Sequence, residues 1–220
     1  MELNQERLKK LDKLKLKKGN HTSFSKGACV MEMVAYIANE PWSDRPECAC
    51  PTLTSFAITL NDRADDETRQ LLKPLIPKLI GTRDGGAKER AHFLIHHSIT
   101  VTLPILVGAL DLNDEAKTLR EFKSGQWNEM RDFCRGIKEK MRAAMKSKLA
   151  AAAADYAAYA ADYAYAAYAA AAAAYAADAA KKASKDDNYL LLAASLALET
   201  LRELKSPGCE LLEARNVLQP

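Results

Sequence analysis

The sequence lacks any stretch in which β-branched residues alternate with polar ones between hairpin-type turns, and that absence removes strands from the expected architecture. It also lacks G-x-S-x-G, H-E-x-x-H, a phosphate-binding P-loop and a dinucleotide fingerprint, which excludes the common local signatures of hydrolases, zinc proteases and nucleotide binders. No secretory apolar segment opens the chain and nothing marks lipidation. With five cysteines, an odd number, reduced thiols in a cytoplasmic protein are the expectation. Charge of one sign is in short supply too. The 32 Lys and Arg against 29 Asp and Glu leave a net +3, so no global field for nucleic acid is expected.

What the chain does contain is alanine. Residues 149–180 are nearly all Ala, broken by Tyr156, Tyr159, Tyr163, Tyr165, Tyr168 and Tyr175 and by Asp155, Asp162 and Asp178. Alanine loses no side-chain entropy on entering a helix, and no Pro or Gly interrupts the run, so one continuous helix is expected. At about 100° per residue, Tyr156, Tyr159 and Tyr163 share one face and Tyr165, Tyr168 and Tyr175 another. The rings read either as gap-fillers of a bundle spine or as the lining of a ligand or partner surface. Length alone would allow a membrane span, but three internal aspartates and the closing Lys181 and Lys182 argue against it. The expected fold is all-α, a helical bundle around this long Ala/Tyr-rich central helix. A single domain covers 1–220: a basic amphipathic helix over 1–18, a motif-bearing helical part over 21–148, and the Ala-rich and closing helices over 149–205.

Leu8, Leu11 and Leu14 place an apolar stripe on the lysine-rich first segment, which Gly19 and Asn20 terminate. Thr22, Ser23 and Ser25 are N-cap candidates for a helix that ends before Pro41. Glu32 falls within the apolar pattern of that helix, either at its edge or buried with a partner. The loop 40–51, EPWSDRPECACP, is stiff with prolines and carries Trp42, Asp44 and Arg45. It reads either as a binding loop or as a connector in which Trp42 plugs the core and Asp44 caps the next turn. An apolar helix over 52–61, a helix capped by Asp65 or Asp66, and short turns through Pro74 and Pro77 follow. GTRDGG then feeds a helix that Pro104 bends or restarts. This Gly-rich joint, with Arg83, Lys88 and Arg90 nearby, could hold an anion or be a plain helix–loop–helix connection. Asn113 or Asp114 is expected to cap a short helix. From Trp127 onward Met130, Phe133, Cys134, Ile137, Met141 and Met145 form one apolar helix side.

Cys48-x-Cys50 could join Cys29, or His92 and His96, around zinc, but the C-x-C spacing is tighter than zinc sites use, and no metal or other cofactor is assigned. The cysteines otherwise read as small buried apolar groups.

Several runs resemble a family of uncharacterised proteins of actinobacteria and their phages. They are Gly19-Asn20-His21, Gly27-Ala-Cys29-Val-Met-Glu32, the run from Glu40 through Trp42 and Asp44 to Pro46, Cys48-Ala-Cys50-Pro, Asn61-Asp62, and LKPLIPKLIGTR ending at Arg83. The resemblance implies a bacterial or phage setting, hence the cytoplasm of a bacterial host cell, and a shared site built by His21, Glu32, Trp42, Asp44 and Arg83. The functional expectation is a non-enzymatic, phage-encoded binding protein acting against host defence. It would sequester a small anionic or nucleotide-like ligand, or block a host protein, through His21, Glu32, Trp42, Asp44, Arg45, Arg83, Lys88, Arg90, Tyr156, Tyr159 and Tyr163. The alternatives are a hydrolase or transferase using Glu32, Asp44 and His21, and a homo-oligomeric helical scaffold. Neither a membrane nor nucleic acid is an expected partner.

Overall fold

In the computed structural model, residues 3–108 and 110–144 are described here. They are all-α, as the missing strand pattern predicts. The expected central helix, with Tyr156, Tyr159 and Tyr163, and the closing helix lie outside the described residues.

The first segment corrects the expected continuous helix over 1–18. Only Gln5–Lys9 (α1) is α-helical, followed by a 3₁₀ turn at Leu11–Lys13 and then an extended strap. So short a helix is marginal in water, and the chain finds better partners elsewhere. Leu16 is buried at 2 % exposure, its N–H donates to Gln70 Oε1 (2.9 Å) and its carbonyl accepts from Gln70 Nε2 (3.0 Å). Lys17 N donates to Ala28 O at 2.8 Å. The leucines do dock the segment, but Leu3, Leu11 and Leu16 are the buried ones, with Leu8 and Leu14 only partly so.

Helix α2 (Val30–Ile37) is capped by Cys29, not by Thr22, Ser23 or Ser25. Its end is a Schellman turn: Asn39 takes the left-handed conformation (φ 59°), Glu40 N bonds Ala35 O and Asn39 N bonds Tyr36 O. The helix therefore stops before Pro41, as read. Pro51 opens α3 (Pro51–Arg63) at its first turn, where a missing N–H costs nothing. Asp65 caps α4 (Asp66–Gln70), accepting from the N–H groups of Glu67 and Thr68. A 3₁₀ turn at Lys73–Leu75 and α5 (Ile76–Leu79) follow, the expected short turns. These elements, the strap and the start of α6 (Ala87–His97) enclose one apolar core.

Pro104 cannot donate to the helical ladder and its ring crowds the preceding turn. The chain answers with a wider π turn at Ser98–Thr102, in which Leu103 N reaches back to Ser98 O, and restarts as α7 (Leu103–Gly108). Helix α8 (Asn113–Glu121) begins after Leu112 with no side-chain cap, so neither Asn113 nor Asp114 caps it. Helix α9 (Trp127–Ala144) lays Met130, Cys134, Ile137 and Met141 into a second apolar core with Ile95, Ile99, Leu103, Val107 and Leu119. Phe133 is only partly buried there, and Met145 lies outside the described residues. Among the described residues no helix is long and apolar enough to cross a membrane.

Candidate functional site

The residues that carry the resemblance are largely tied to one another. Glu32, 1 % exposed in the first turn of α2, accepts from three donors. These are His21 Nδ1 at 2.9 Å, Cys29 N at 2.7 Å and His21 N through a very short contact. Glu32 N in turn donates to Cys29 Sγ at 3.5 Å, a reciprocal cap in which a thiol stands where a hydroxyl is usual. A buried carboxylate survives only when its lone pairs are so engaged. Trp42 Nε1 donates to His21 O at 2.7 Å, so both backbone groups of His21 are held by side chains. Gly27 completes the seat: at φ 142° an L side chain is strained, and a Cβ there would lie 2.8 Å from His21 Nε2 and 2.6 Å from Lys17 Cδ.

Asn61 and Asp62 fasten the strap from the other side. Asn61 Oδ1 accepts from Val30 N (3.1 Å) and its Nδ2 donates to Lys17 O (2.9 Å), while Asp62 Oδ1 accepts from Gly19 N (2.9 Å). At the far end of the proline loop, Thr82 Oγ1 accepts from Cys50 N (2.8 Å) and donates to Leu79 O (2.7 Å). Arg83 N donates to Cys48 O at 3.2 Å.

His21, Glu32 and Trp42 therefore meet. Asp44, half-buried on the same loop, and Arg83, exposed with one long contact from NH1 to Glu47 O (3.5 Å), make no hydrogen bond or ion pair with them. Arg45 is exposed, and its N–H closes a local turn on Ser43 Oγ. Asp44 caps no helix.

The Gly-rich joint is not an open anion site. Asp84 already stands there as the anion: Oδ1 accepts from Gly86 N (3.0 Å) and both carboxylate oxygens take the Arg90 guanidinium, at 2.6 and 2.7 Å. Arg90 is 1 % exposed and also donates to Thr82 O at 2.7 Å. Burial pulls its pKa down, but the Asp84 pair and the neighbouring Cys50 thiol more than offset that, and the net shift is upward. The same hydrogen bonds hold Asp84 down at about 2. Arg90 is thus committed internally, whereas Lys88 remains exposed.

Three buried thiols are held protonated by their surroundings. Burial first, helped by the Glu32 charge, pushes Cys29 up to about 12. Burial and donation to the Glu40 carboxylate do the same for Cys48, and burial alone for Cys134. His92 lies tilted against Trp127 (4.9 Å between centroids, 36° between planes) and His96 bonds Phe122 O (3.1 Å). Among the described residues no group of three His, Cys, Asp or Glu is arranged to hold a metal ion.

Beside this clasp lies an aromatic platform that the sequence reading missed. Phe24, 41 % exposed, stacks on Tyr36 (4.7 Å between centroids, 23° between planes) and meets Trp42 edge-on (6.0 Å, 88°). The Arg7 guanidinium lies over the Tyr36 ring, 4.3 Å from its centroid, and donates from NH1 to Tyr36 O at 2.7 Å. Phe24 was hidden among cap-type residues in HTSFSK, and nothing local links it to Tyr36 or Arg7. A cavity of about 600 Å³ lies between strap and α4, lined by Lys15, Lys17, Lys18, Asp66, Glu67 and Gln70, of mixed charge.

Compared with known proteins, the chain matches no protein-family model, no curated protein and no solved structure.

Proposed function

We propose that the chain is a non-enzymatic binding protein and that its partner is another protein. In the bacterial or phage setting implied by the resemblance above, that partner is a host protein which the chain blocks. One observation carries the choice between ligand classes. Two of the groups that would trap a small anion are consumed internally, Trp42 Nε1 by His21 O and Arg90 by Asp84, and the exposed Arg45, Arg83 and Lys88 are left without a buried seat, while an aromatic platform with Phe24 exposed stands at the surface. Aromatic and Arg side chains on a rigid base are the usual anchors of protein interfaces.

The test uses the full chain purified from bacteria. Native mass spectrometry and thermal shift with nucleotides should find neither a bound ligand nor a rise in melting temperature. Cross-linking in cells should yield a host protein that re-forms a stoichiometric complex with the chain when the two purified proteins are mixed. A nucleotide released on heating, with a matching thermal shift, overturns the reading in favour of small-ligand capture.

A second reading, a hydrolase or transferase, has one observation in its favour. Glu32 engages His21 Nδ1 and leaves Nε2 without a hydrogen bond among the described residues, the arrangement of a base oriented by a carboxylate. No activated nucleophile accompanies it: the Ser23 and Ser25 hydroxyls pair with each other and the Cys29 thiol is held protonated. Hydrolysis of a model ester or phosphoester that disappears in His21→Gln, with the melting curve unchanged, would establish it.

A further inference from the structure

We infer that the platform of Arg7, Phe24, Tyr36 and Trp42 is the partner-facing surface, and that its occupant is an acidic protein segment carrying an apolar anchor. This rests on the binding-protein reading above and names the place and the chemistry of the contact.

The charge of the chain is not spread evenly. Residues 9–26 hold seven lysines against Asp12 alone, a surplus of six in a chain of net +3, so all other residues together carry −3. All seven lysines are exposed, because the strap spends Leu11 and Leu16 on the core and turns its charged side chains outward. The strap ends at the platform. Lys26 N closes the turn on Ser23 O (3.0 Å), Gly27 N closes on Phe24 O (3.3 Å), and Lys17 Nζ reaches Lys26 O (3.2 Å). Lys17, Lys26 and Arg7 therefore border the exposed ring. The segments that build the platform carry five acids, of which Glu47 is exposed at the far end of the proline loop, where its carbonyl faces Arg83 NH1. Glu32 is sealed and Glu40 is engaged by Glu47 N and the Cys48 thiol, which leaves Glu6, the half-buried Asp44 and Glu47 against Arg7, Lys17, Lys26 and Arg45. An apolar centre with a basic rim complements an acidic segment, and rim charges act mainly on encounter and specificity.

The clasp makes this surface rigid before binding. His21 is fixed through N, O and Nδ1, and Phe24 follows it by three residues in a closed turn, so little side-chain order remains to be lost on docking. Nucleic acid fits less well. Sequence-tolerant binding of single strands needs successive free rings on which bases stack. Here Tyr36 covers one face of Phe24, and Trp42 is half-buried against its edge.

The test measures binding of the full chain to two labelled probes of equal charge, a short synthetic peptide of Glu, Asp and Phe and an oligothymidylate. Both are run at low and at physiological salt. We expect the peptide to bind more tightly than the oligothymidylate and to weaken as salt rises. Its affinity should drop about tenfold or more in Phe24→Ala, as for a central anchor. It should drop in Lys17→Glu with Lys26→Glu as well, while Lys123→Glu on the second core's side leaves it unchanged. Melting curves confirm that each variant is folded. Equal binding by all variants overturns the location, and tighter binding of the oligothymidylate overturns the acidic-protein occupant. If neither probe binds, the inference falls. The binding-protein reading then still stands or falls on whether a host protein re-forms a complex with the chain.

Discussion

The two apolar cores of this molecule are held in different ways. Around the first, buried polar side chains cross between elements that are distant in sequence. Glu32 holds His21 and Cys29, Asn61 joins α2 to the strap, and Arg69 satisfies the last carbonyls of α3 through Asn61 O (2.8 Å) and Ala64 O (2.5 Å). Arg90 ties α6 to the glycine loop. Around the second, the buried polar groups are Thr100 and Thr102, and the Thr100 hydroxyl bonds back within its own helical run to His96 O. The first region has a strap and long loops whose backbone groups need partners that no helix supplies. The second is built mostly of helical segments, which satisfy most of their own backbone and are held chiefly by apolar packing, with His96 Nε2 on Phe122 O as a polar tie between them.

This contrast can be broken by mutation. The largest effect is expected from Glu32→Ala, which leaves three donors without an acceptor. Loss of one partner from so buried an ionic cluster costs about 3–5 kcal/mol, read as a lower urea midpoint. In the second core the equivalent deletion is apolar: Ile137→Ala should cost about 3 kcal/mol. Thr100→Val should stay within about 1 kcal/mol, since only a local helix-backbone bond is lost. A Thr100→Val loss as large as that of Glu32→Ala would abolish the distinction.

An effect smaller than that of Ile137→Ala belongs to Asp84. Its pKa is about 2 in the folded protein, below the ordinary carboxylate range. It therefore contributes stability above about pH 4 that is lost as pH falls through its folded value of about 2. Asp84→Asn should lower stability at neutral pH by about 2 kcal/mol, less than a fully buried pair because its side chain is 34 % exposed. It should also flatten acid unfolding between pH 4 and 2, and an unchanged acid limb would show that Asp84 is not the anion anchoring Arg90. A stability change as small as that of Thr100→Val is expected from Phe24→Ala, about 1 kcal/mol at most from one exposed stacking contact. A cooperative collapse of the strap in that variant would mean that the platform is part of the scaffold and not a free surface.

Much of the helical layout was legible. Apolar periodicity located α2, α3, α6 and α9, Pro41 signalled the end of α2, and Asp65 announced α4. The strap was misread because Leu8, Leu11 and Leu14 keep helical spacing whether or not a helix forms. What pins the strap past the helix is Gln70, fifty-four residues away, offering Leu16 both halves of a backbone-like pair. Of the candidate site, the identity of His21, Glu32 and Trp42 was legible, but their meaning was not. A Trp in a stiff loop looks the same whether its indole N–H is free for a ligand or spent on His21 O. Arg90 looked available for an anion until Asp84, six residues before it, was seen to fill that role.

The sequence by itself determined that the described residues are helical, that α2 stops before Pro41, and that lysines are gathered in residues 9–26. Those follow from local propensity and composition. Tertiary structure decided which polar groups are consumed and which remain exposed, because satisfaction of a buried donor or acceptor depends on partners that only folding brings within 3 Å.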